Sequence, residues 1–75
     1  MAETDRAAPR DPRKDPKKGD LVSNGGRSRE VSDVVCDGLG NIRIHWVSSM
    51  TKWGSTYLYA WRKWARNAEV KHAAD

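Results

Sequence analysis

All four tryptophans of the chain lie between Trp46 and Trp64, and its 75 residues contain no phenylalanine. A chain this short holds one domain, near the size at which a single core is only just sufficient. With charged residues at 32% and a mean hydropathy of −0.87, apolar material is scarce. Buried volume therefore has to come from indole rings together with Leu, Ile and Val. Each tryptophan is either core mass or contact surface, and that assignment decides most of what the chain can do.

Composition changes sharply near residue 18. All three prolines (Pro9, Pro12 and Pro16) precede it, and the apolar residues there are Met1, Ala2, Ala7 and Ala8. That is too little to offset the entropy of ordering a segment. Residues 1–18 are expected to be a disordered Pro-spaced arm, residues 19–72 the folded domain and 73–75 a frayed tail. The arm carries six basic and four acidic side chains. It reads as a solubilising leader or, more sharply, as a basic arm that follows a phosphate backbone. Cys36 is the sole cysteine, so no intramolecular disulfide can form. The first residues lack a signal-peptide pattern, and no apolar run reaches membrane-spanning length. A soluble protein in the cytoplasm of a bacterial host cell is expected.

From Gly19 onward, short apolar segments alternate with turn signals. Leu21 and Val22 are closed by Asn24-Gly25-Gly26, a tight-hairpin signature. Residues 29–36 form a second strand. Its alternation fails between Val31 and Val34, which predicts a bulge near Ser32 and Asp33. Asp37 to Asn41 makes another turn, with glycine and asparagine supplying positive φ. Ile42, Ile44 and Trp46 then alternate with Arg43, His45 and Val47, giving the clearest strand and an antiparallel meander. A polar loop or irregular strand spans residues 48–56. Ser55 or Thr56 is expected to cap a helix over residues 57–67 with Leu58, Trp61, Ala65 and Ala68 on one stripe and Trp64 beside Trp61. Glu69 to His72 reads as a closing strand with Val70 inward. Together these elements suggest a mainly β, strongly bent small barrel with a C-terminal helical segment.

Gly19-Asp20-Leu21-Val22, the following turn and residues 29–34 resemble the opening of SH3-like barrels, including Tudor and ribosomal-type versions. Residues 15–22 together with residues 60–70 are similar to uncharacterised small proteins encoded by phages and prophages. The resemblance spans roughly residues 15–70. It implies an SH3-like antiparallel barrel and a phage or prophage origin, and it brings no catalytic residues.

No catalytic, cofactor or metal site is expected. The two histidines, His45 and His72, form no ligand pattern with Cys36, which reads as a buried structural thiol. His45 is expected to point outward. Asp33 and Asp37 flank a turn that explains them, and residues 24–28 lack the ending of a phosphate-cradling loop. The chain reads as a non-catalytic binding module that takes neither a small-molecule substrate nor a membrane. Trp46 and Trp61 are assigned to the core. Trp53 and Trp64 are the candidate contact rings, with Tyr57 and Tyr59 facing different directions. The surrounding cations are Lys52, Arg62, Lys63, Arg66, Arg43, Arg27 and Arg29. Residues 19–75 hold eight basic and six acidic side chains, a weak excess for following phosphates. A protein partner or a homodimer is therefore favoured, and nucleic-acid binding by exposed rings and cations is the alternative.

Overall fold

The computed structural model describes residues 10–49 and 51–74; the expected arm before Arg10, together with Met50 and Asp75, lies outside them. Five strands and one helix follow in the order β1 (Leu21–Asn24), β2 (Arg27–Cys36), β3 (Ile42–Ser49), β4 (Lys52–Tyr57), α1 (Leu58–Ala65) and β5 (Glu69–His72). All pairings are antiparallel, in one sheet ordered β4-β3-β2-β1-β5. The mainly β class and the meander agree with the sequence. Barrel closure does not follow: among the described residues β4 and β5 are the two edges of an open sheet. The inner face is covered by α1, which packs against β1, β3 and β4, so helix packing takes the place of a closing strand pair. No helix among the described residues is long and apolar enough to cross a membrane.

The turns form as their residues dictate. Gly25 and Gly26 have φ of 61° and 85°, the two successive positive values that a two-residue hairpin loop needs. The second turn is organised by the Asp37 carboxylate, which accepts hydrogen bonds from the Leu39 and Asn41 N–H groups at 2.8 and 3.0 Å. Positive φ there falls on Gly40 and not on Asn41. The predicted bulge is present. Val31 and Asp33 of β2 face Trp46 and His45, consecutive on β3, so Ser32 is the extra residue. Val31 is thereby kept on the core side, beside the fully buried Val22, Ile44, Trp61 and Ala65 and the nearly buried Ala68.

Two local expectations are corrected. Tyr57 is the residue before α1 and no side chain caps the helix, because Ser55 and Thr56 are still paired in β4. Cys36 is exposed, not buried, because the β2–β3 hairpin runs beyond the helix that makes the core.

The largest departure concerns the arm. From Arg10 onward it lies against the domain, held by polar groups rather than apolar ones. Asp20 is fully buried and accepts four hydrogen bonds. Two come from Arg10 at 2.6 and 2.8 Å, one from the Lys17 N–H at 2.7 Å and one from the Ala74 N–H at 2.7 Å. Arg10 also donates to the Ala74 carbonyl at 2.6 Å, so the tail is tied down through Ala74 instead of frayed. Pro12 is buried, and its carbonyl accepts the Trp61 indole N–H at 3.1 Å. Arg62 donates to the Lys14 carbonyl at 2.7 Å and approaches Asp15 at 3.3 Å.

Candidate functional site

The four indoles have four different fates. Trp61 is fully buried. Trp64 is half-buried and packs against Trp61, with ring centroids 5.3 Å apart and planes tilted by 48°. Trp46 is half-buried on the inner face of β3. Arg29 lies between the last two, its guanidinium 4.2 Å from the ring centroids of both Trp46 and Trp64. Burial and then the nearby charge of Arg27 pull the Arg29 pKa below its ordinary value. Two ring faces partly replace the water it has lost. Two expected contact residues are thereby reassigned, because Trp64 and Arg29 hold the core edge together instead of offering a free ring and a free cation.

Gly54 on β4 completes this stack. A Cβ there would sit 2.7 Å from Cζ2 of Trp46, closer than any real contact. Gly54→Ala must therefore displace the indole and with it Arg29. We expect a loss of roughly 1–3 kcal/mol, read as a melting temperature lower by about 4 °C or more. An unchanged melting temperature would show that the ring is free to move.

Trp53 remains exposed at 72% of its surface. It stands on the outer face of the edge strand, directly opposite Val47, which is also exposed. The same face carries Arg43 opposite Tyr57, with the Arg43 Nη2–H donating to the Tyr57 hydroxyl at 2.9 Å. Tyr57 stacks on Tyr59, with centroids 6.2 Å apart and planes within 7°. The sequence reading separated these two tyrosines because it placed both on the helix; Tyr57 ends β4 and Tyr59 is the second residue of α1. Continuing the two-residue alternation Trp53, Ser55, Tyr57 would have found the row. Between its ends, Ser55, His45 and Asp33 are cross-strand neighbours, yet no hydrogen bond joins them and the Asp33 carboxylate accepts from the Val34 N–H at 2.9 Å.

The remaining cations divide. Lys52 and Arg27 are exposed at the starts of β4 and β2. Arg62, Lys63 and Arg66 line a groove of about 650 Å³ together with Tyr59 and, from the docked arm, Asp11, Arg13, Lys14 and Asp15. Arg13 and Lys14 were missed as site residues because only docking brings them to the helix.

Compared with protein-family models, curated proteins and solved structures, the chain matches none.

Proposed function

We propose that the chain is a non-catalytic binding module of SH3-like type, of phage or prophage origin, that receives an extended segment of a protein partner along β4. A five-strand antiparallel order with a helical segment ahead of the last strand supports the SH3-like reading. One observation carries the binding reading: Trp53 is exposed on a strand that is an edge of the sheet. An edge strand offers backbone donors and acceptors to an incoming strand, and a projecting indole anchors it. Such an anchor accounts for a large share of binding energy in known interfaces. Val47 beside Trp53 and the Arg43–Tyr57 pair further along extend the contact surface. The same edge on a second copy gives the homodimer reading, which sedimentation at rising concentration tests.

Trp53→Ala is expected to leave the stability within about 0.5 kcal/mol of the original, since the ring is largely exposed. Peptides selected on the immobilised chain should lose roughly 30-fold or more in affinity for this variant. Undiminished peptide binding, or binding whose NMR perturbations avoid β4, would contradict the proposal.

A further inference from the structure

A second surface, on the helix side, does not depend on the β4 reading. The body of the chain has a small charge excess, but the fold does not spread it evenly. Docking of residues 11–15 onto α1 brings five cations, Arg13, Lys14, Arg62, Lys63 and Arg66, around one groove against two carboxylates. Those carboxylates are already engaged. Asp11 pairs with Arg13 at 3.1 Å, and Asp15 with Arg62 at 3.3 Å. Arg13 and Arg62 thus fasten the groove walls. Among the described residues, the ammonium groups of Lys14 and Lys63 and the guanidinium of Arg66 form no hydrogen bond or ion pair, although Lys14 lies within the field of Asp11, so three side-chain cations of the groove lack a direct partner.

The helix supplies the rest by its period. Tyr59, Lys63 and Arg66 stand at i, i+4 and i+7, on the face opposite the buried Trp61 and Ala65. Tyr59 is 75% exposed, and the stacked Tyr57 supports its ring from one side only. A track of cations beside an open aromatic ring is the arrangement that holds a flexible anionic chain with unstacked bases. We propose that this groove binds the phosphodiester backbone of single-stranded nucleic acid, with Lys14, Lys63 and Arg66 on phosphates and Tyr59 under a base. A duplex, whose bases are already stacked, would use the cations but not the ring.

Fluorescence anisotropy of a labelled single-stranded oligothymidylate with the full chain tests this. Binding at low salt should weaken with added salt. Lys63→Ala/Arg66→Ala, which removes two exposed and unpaired side chains and should keep the fold, is expected to lose tenfold or more in affinity. Its salt slope should be shallower by roughly 1.4, the value for two single-strand phosphate contacts. Tyr59→Ala should weaken single-strand binding roughly fivefold or more and leave duplex binding unchanged. Trp53→Ala should bind the oligonucleotide as the original does, which separates this site from β4. Absence of oligonucleotide binding, undiminished binding by the double variant, loss of binding in Trp53→Ala, or capture by phosphatidylserine vesicles in place of the oligonucleotide would each overturn the assignment.

Discussion

Trp61→Ala is expected to remove roughly 3–5 kcal/mol of stability, the usual cost of deleting a buried tryptophan. A domain of this size has a total near the low end of 5–15 kcal/mol, so the variant should be largely unfolded at 37 °C. The effect is large because Trp61 serves three parts of the fold. Its ring fills the space between the sheet and α1, it supports Trp64 and through it Arg29, and its N–H holds the Pro12 carbonyl. Trp61→Phe separates these roles. It keeps most of the apolar volume and drops the hydrogen bond, so roughly 1–3 kcal/mol should be lost. Native-like melting of Trp61→Ala would place the core elsewhere.

Asp20→Ala is expected to cost about 3 kcal/mol, although it deletes no apolar contact. The carboxylate is fully buried and joins three separate pieces of chain: Arg10, the Lys17 turn and the Ala74 tail. Its removal leaves their donors facing a site that water fills poorly. Arg10 keeps partial exposure, which limits the loss. A pH dependence follows from the same geometry. Burial alone would raise the Asp20 pKa, but the hydrogen bonds from Arg10, Ala74 and Lys17 outweigh it and hold the carboxyl below its ordinary range. Asp11, bonded by Arg13, and Asp37, bonded by the N–H groups of Leu39 and Asn41, are lowered as well. A lowered carboxylate pKa means stability that is complete above the unfolded value of about 4 and is lost as pH falls through the folded value. The melting temperature should be flat from neutrality to about pH 5 and fall below that, less steeply in Asp20→Asn. An equal acid loss in that variant would assign the effect to Asp11 and Asp37.

The strands were legible because their information is local. Alternation over residues 42–47, two glycine turns and a broken period at Ser32 are enough to specify a meander and its bulge. The helix stripe and the burial of Trp61 follow from the same kind of counting. The docked arm was not legible, because the usual sign of a folded segment is apolar residues at regular spacing. Residues 10–18 have none, and they are held by an arginine on a carboxylate ten positions away and by a proline carbonyl on a distant indole. The fate of Arg29 was hidden for a similar reason, since an arginine between two rings looks in sequence like any other surface cation. The basic groove depends on that docking, so net charge alone undervalued it.

Acrylamide quenching of tryptophan fluorescence tests the division of the indoles most directly. The original chain should show one readily quenched component, and Trp53→Phe should abolish it and leave Trp46, Trp61 and Trp64 poorly accessible. A quenchable component that survives in Trp53→Phe would contradict the account, because a second indole would then have to be a surface ring and not part of the core.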